Sequence, residues 1–180
     1  MKSGKSNALI KTVLTALFAS LCCVATMVIQ IPTPTGGFLN LGDAVVVVSA
    51  FFLGPVYGAA AAGLGSALAD IFAGYAQYAP ATFIIKALMA LCVWLVLHIF
   101  RKISDKKPNL FFLFTALGAV LAEVIMVLGY LVFEALILGY GAGAFASVLG
   151  NSVQGAAGII AGTLLTELLR RTKIKEKFLK

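Results

Sequence analysis

Charge is scarce in this 180-residue chain. Lys and Arg number 14, Asp and Glu 7, and only 12% of residues are charged, about half the share in an ordinary soluble domain. Because 61% of the residues are hydrophobic, there is too little polar surface to clothe a soluble globule. The chain therefore reads as an integral membrane protein with room for one compact domain. Histidine is reduced to one residue and cysteine to three. Cys22, Cys23 and Cys92 all lie inside apolar runs without metal-ligand spacing. They read as small packing residues, which excludes a Cys/His metal centre. No GxxxxGK(S/T) phosphate loop occurs, so ATP hydrolysis by that route is excluded. HExxH is absent, as is any plausible nucleophile–base pair. No enzymatic activity, cofactor or metal is expected of this chain. No 3+3 inverted repeat is detectable either.

What the chain does have is an uneven placement of bases. Lys2, Lys5 and Lys11 precede the first apolar run, Arg101, Lys102, Lys106 and Lys107 form a mid-chain loop, and Arg170, Arg171, Lys173, Lys175, Lys177 and Lys180 close the chain. Lys86 alone lies elsewhere. Apolar segments are expected at about 8–31, 38–53, 56–72, 81–100, 110–138 and 145–169. The N-terminal lysines and the apolar run after them have the look of a secretory signal. The run continues to Ile31 without an A-x-A-like site, so it reads as a retained first helix. Whether 38–72 is one span or two is decided by charge. Five spans put the mid-chain and C-terminal bases outside, whereas six, broken at Gly54-Pro55, put all three patches inside, as membrane proteins prefer. The expected fold is thus all-α, with six transmembrane helices and both termini cytoplasmic. Spans two and three are short, about 24–26 Å at 1.5 Å per residue.

Ionisable groups inside a bilayer are costly and mark function or pair with one another. This topology gathers Asp43, Asp70, Lys86, Glu134, Asn151 and Gln154 in the outer half and leaves Glu123 near mid-depth. Glu123, Tyr130 and Glu134 share one helical stripe, as do Ser147, Asn151, Gln154 and Gly158. Tyr75, Gln77 and Tyr78 lie in the loop that would cap them. The arrangement reads as an outward-facing pocket for a small polar ring compound. Structural readings stand beside it: Asp43 as a helix N-cap, Asp70–Lys86 as an ion pair, Glu134 as a solvated residue at a helix end, and the two amides as interhelical glue. Small residues recur at Ala59, Gly63 and Ala67, at Gly155, Gly158 and Gly162, and at Ala16 and Ser20. They serve close helix packing or, on the first helix, docking of another membrane subunit.

The chain resembles the substrate-binding S component of an energy-coupling factor (ECF) vitamin transporter. The resemblance spans essentially the whole chain. It is carried by the LGD, GPVYG, ALAD and GYAQYAP elements between Asn40 and Leu91 and by the Gly-rich final helix starting near SVLGNSVQG. It implies an S-component-like bundle in a prokaryotic plasma membrane. Such a subunit binds a vitamin outside and releases it inward with a transmembrane coupling subunit and two ATPase subunits. Family members dock through Ala-x-x-x-Ala in the first helix; here Ala16-x-x-x-Ser20 keeps both positions small. The implied substrate site comprises Asn40, Tyr75, Gln77, Tyr78, Lys86, Tyr130, Glu134, Asn151 and Gln154. The motif arrangement looks most like the hydroxymethylpyrimidine or pyridoxine type, with riboflavin and pantothenate as alternatives. Outside the family, a membrane scaffold with a purely structural polar cluster and a self-sufficient small transporter or channel are the competing readings.

Overall fold

The computed structural model describes residues 2–32 and 38–178, with side chains from Asn7 onward. Residues 33–37 of the expected outer loop, the side chains of Lys2 and Lys5, and Lys180 lie outside the described residues. Helices α1 (Lys2–Val28), α2 (Gly42–Leu53), α3 (Pro55–Phe72), α4 (Ala79–Ile99), α6 (Leu110–Val132) and α7 (Phe145–Thr172) form the bundle. The short α5 (Arg101–Lys106) and α8 (Ile174–Phe178) lie at one end of it. An antiparallel pair, β1 (Ile31–Pro32) and β2 (Phe38–Leu39), joins α1 to α2 with Ile31 opposite Leu39.

Among the described residues, four helical segments are long and apolar enough to cross a membrane: Asn7–Val28, Ala79–Ile99, Leu110–Ile137 and Gly141–Thr172. α2 is different. The expected segment 38–53 loses its first four residues, because Phe38 and Leu39 pair in β2 and the helix begins at Gly42. What remains has 12 residues, about 18 Å of helix at 1.5 Å per residue. A helix that is apolar all round belongs in a core. Accordingly every α2 residue except Phe51 is buried, with Val46, Val47 and Ala50 fully so. α2 packs against α1, α3, α4 and α7 and forms the centre of the bundle. Gly54 ends it with φ 82°, a conformation that favours glycine, and Pro55 then opens α3.

Close helix approach explains the small residues. A Cβ at Gly63 would sit 2.8 Å from the Phe83 carbonyl of α4. One at Gly65 would run into the Ala19 carbonyl oxygen of α1. Backbone cannot move aside as a flexible side chain can, so Gly65→Val is expected to cost about 1–3 kcal/mol by overpacking. Thermal unfolding in detergent measures this; an unchanged midpoint would mean that α1 does not depend on that contact.

The described bases gather at one end of the bundle, apart from Lys86. Lys11 lies 5.8 Å from the Tyr57 ring, Arg170 lies 4.8 Å from that of Phe111, and Lys175 donates to the Phe51 carbonyl at 2.5 Å. At the opposite end α6 widens into a π-helical turn, Phe133–Ile137, and re-enters α7 through a tight 3-10 turn, Gly141–Ala144. π turns inside helices frequently sit at functional sites, and this one carries Glu134.

Candidate functional site

The end of the bundle away from the bases holds a cavity of about 30 Å³. β2 and the residue after it supply Phe38 and Asn40, and the end of α3 supplies Asp70. The α3–α4 connection adds Tyr75 and Tyr78, and α4 adds Thr82. α6 and its π turn contribute Tyr130 and Glu134, while α7 contributes Asn151 and Gln154.

Aromatic rings pack around this space. Phe38 and Tyr75 lie 4.8 Å apart between centroids, and Tyr78 lies 5.5 Å from Phe133 and 6.4 Å from Tyr130. The Tyr78 hydroxyl donates to Glu134 Oε1 at 3.2 Å, and the Thr82 and Tyr130 hydroxyls share a 2.9 Å hydrogen bond. Buried carboxyl groups are ordinarily hydrogen-bonded. Asp70 lines the cavity, yet its Oδ2 has no hydrogen-bond partner among the described residues.

Behind the lining lies an ionic knot. Lys86, 2% exposed, pairs with Asp43, which is fully buried. Gln154 Nε2 donates to the other Asp43 oxygen at 2.5 Å, and its Oε1 accepts the Asn40 backbone N–H at 2.8 Å. One amide therefore connects the buried pair to the segment bordering the cavity. Three expectations are corrected here. Lys86 pairs with Asp43, not with Asp70, because α4 also packs on α2 and the first turn of α2 turns Asp43 inward at the level of Lys86. Asp43 is not a cap: Leu41 occupies the N-cap position, and Asn40 Oδ1 accepts the Gly42 N–H at 2.9 Å. Lys86 itself does not line the cavity, since Asp43 and Met126 Sδ, at 3.4 Å, surround its ammonium.

Seven of the nine expected substrate contacts meet at this cavity: Asn40, Tyr75, Tyr78, Tyr130, Glu134, Asn151 and Gln154. Gln77 does not, because it is exposed on the α3–α4 connection while Tyr78 turns inward. Glu134 is buried, not solvated at a helix end. Phe38 was missed because 38–53 read as continuous helix. Asp70, read from the sequence as the partner of Lys86, instead lines the cavity together with Thr82. Glu123 is also buried, with no hydrogen-bond partner for either oxygen among the described residues. It lies against Gly155 and Gly158, where a Cβ at Gly158 would fall 2.6 Å from its Oε1 and 2.8 Å from Asp43 Cβ. The α7 glycines thus make room for the Glu123 carboxyl.

Asn151→Ala and Gln154→Ala are each expected to weaken ligand binding by about 1–3 kcal/mol, the range for leaving a buried polar partner unpaired. Calorimetry on purified protein tests this. Unchanged affinity in both would reduce the α7 amides to interhelical contacts.

Ala16 and Ser20 lie on the outward face of α1 with Val13, Leu17 and Val24. The Ser20 hydroxyl donates to the Ala16 carbonyl at 2.9 Å. It is therefore satisfied within the helix, and the strip stays smooth and effectively apolar.

A bundle with helices of membrane-crossing length, carrying a polar, ring-lined cavity at one end, defines a helical membrane protein with a candidate site at that end. The family model described as ECF-type riboflavin transporter, S component, matches residues 6–171. The chain belongs to this family of ECF S components and is a membrane transport protein. It is also 37% identical over 150 residues to a Pyrococcus woesei protein described as an uncharacterized protein in gap 3'region, covering 82% of this chain and 93% of that one.

Proposed function

We propose that this chain is the high-affinity binding subunit of an ECF importer for a water-soluble vitamin or vitamin precursor with a compact heteroaromatic ring. The observation that carries the reading is the lining itself. Four aromatic rings, from Phe38, Tyr75, Tyr78 and Tyr130, surround two carboxyl groups, from Asp70 and Glu134, and two amides, from Asn151 and Gln154. Rings supply stacking faces, and carboxyl and amide groups accept from ring N–H, amino and hydroxyl donors. Lys86, the one cation at this level among the described residues, is held outside the lining by Asp43.

Hydroxymethylpyrimidine or pyridoxine suits this set best, being a single ring with hydroxyl donors. Pantothenate carries an anionic carboxylate and no ring, so it suits an acidic aromatic lining poorly. Riboflavin is the second reading, favoured by the description of the matched family. Every candidate requires the cavity to open beyond its volume of about 30 Å³, and the three fused rings of riboflavin require the widest opening.

The chain has six spans with both termini cytoplasmic, in the plasma membrane of a prokaryote, with the short α2 in the interior of the bundle. The cavity faces outward, and the ligand leaves inward as a transmembrane coupling subunit and two ATPase subunits use ATP. The chain itself is not an enzyme.

Calorimetry on protein purified without ligand, with pyridoxine, hydroxymethylpyrimidine, riboflavin and pantothenate in turn, tests the substrate. A single-ring compound is expected to bind at least roughly tenfold tighter than riboflavin, a difference of about 1.4 kcal/mol. The reverse order would establish the riboflavin reading. Folded protein that binds none of the four, and that co-purifies with no ATPase subunits, would point to a scaffold.

A further inference from the structure

The largest cleft among those described, about 420 Å³, lies at the basic end of the bundle, away from the vitamin cavity. Its apolar wall is built from Phe51, Leu97, Phe111 and Leu169, the inner ends of α2, α4, α6 and α7. Its polar rim carries Arg101, Arg170, Lys173 and Lys175 against two acids, Asp105 and Glu176. The cleft lies where the apolar spans end at Ile99 and Thr172 and begin again at Leu110. That is the depth at which a bilayer places its phosphates.

The rim is built by the backbone. Lys173 adopts a left-handed conformation, φ 54°, and turns α8 back from α7. The turn lays the Lys175 ammonium 4.6 Å from the Phe51 ring, within 2.5 Å of the Phe51 carbonyl. Desolvation lowers the Lys175 pKa from its ordinary value, as it does for any half-buried ammonium without an anion beside it. Arg170 is tied to Glu167 and Arg101 lies 3.9 Å from Asp105, so Lys173 and Lys175 are the rim bases for which no carboxylate contact is described.

We propose that this cleft binds an anionic phospholipid, its phosphate held between Lys173 and Lys175 and an acyl chain laid along the Phe51, Leu97, Phe111 and Leu169 wall. A basic rim over an apolar wall at interfacial depth is complementary to both parts of such a molecule. A free phosphate would use the rim and leave the wall uncovered.

Native mass spectrometry of the full chain released from vesicles of equal phosphatidylglycerol and phosphatidylcholine reads the retained lipid. Wild type is expected to retain phosphatidylglycerol. Lys173→Gln, at an exposed position, is expected to lower retention about fivefold, and Lys173→Gln with Lys175→Gln about 25-fold, in line with the weight of one base near a membrane surface. The pair Lys102→Gln and Lys106→Gln removes the same charge from the same end but outside the cleft, and is expected to leave retention unchanged. Equal loss in that control pair, or unchanged retention in both cleft variants, overturns the proposal. Displacement of the lipid by millimolar inorganic phosphate also overturns it, in favour of a free phosphate site. Retention does not depend on vitamin binding, so either reading can fail without the other.

Discussion

Lys86→Met is expected to destabilise the folded protein by about 3–5 kcal/mol, the cost of removing one partner of a buried ion pair. Lys86 is 2% exposed and Asp43 0%, so neither charge has water to fall back on. Without the ammonium, Asp43 keeps only the Gln154 amide among its described partners. Combining Lys86→Met with Asp43→Asn is expected to restore most of the stability, because no charge is then left alone and the Gln154 contact survives. Thermal unfolding of the three proteins in one detergent makes the comparison. Since Lys86 lies behind the lining, the double variant is also expected to bind ligand with nearly wild-type affinity. A stable double variant that binds nothing would return Lys86 to the set of ligand contacts.

Ala16→Trp and Ser20→Trp are expected to abolish uptake in cells while leaving binding to the purified subunit intact. Both positions face outward from α1, on the smooth strip with Val13 and Leu17, and neither lines the cavity at the far end. Small residues permit close approach of membrane helices, and an indole on that strip keeps a partner helix at a distance. Uptake assays paired with calorimetry separate the two effects. Normal uptake at normal expression in both variants would move the docking face elsewhere. Loss of binding alongside uptake would mean that the ring disturbs the bundle itself.

Much of the architecture could be read from charge and hydropathy. The break at Gly54-Pro55 and the gathering of the basic patches at one end follow from the cost of moving Lys and Arg through lipid and from backbone chemistry. The polar level holding Asp70, Glu134, Asn151 and Gln154 was legible for the same reason, since counting residues along a helix gives depth. Depth does not give azimuth. Asp43 and Asp70 lie at similar levels, and only the packing of α4 on α2 selects Asp43 for Lys86. Nor does hydropathy distinguish a short span from a core helix, which is why 38–53 read as a segment four residues too long. Phe38 was lost with that boundary. Gln77 and Tyr78 are neighbours in sequence, and the local turn that buries one ring and exposes one amide leaves no trace in composition.

The central place of α2 has a consequence for how this protein is made. A 12-residue helix, about 18 Å long, is too short to enter a hydrocarbon layer of about 30 Å as an independent segment. It is expected to insert together with α3, as a hairpin turned at Gly54. Its final neighbours include α7, the last long helix to be synthesised. The groups that Asp43 and Asn40 depend on therefore arrive in instalments, first Lys86 and finally Gln154. The core of this chain is thus expected to be completed last, when α7 takes its place.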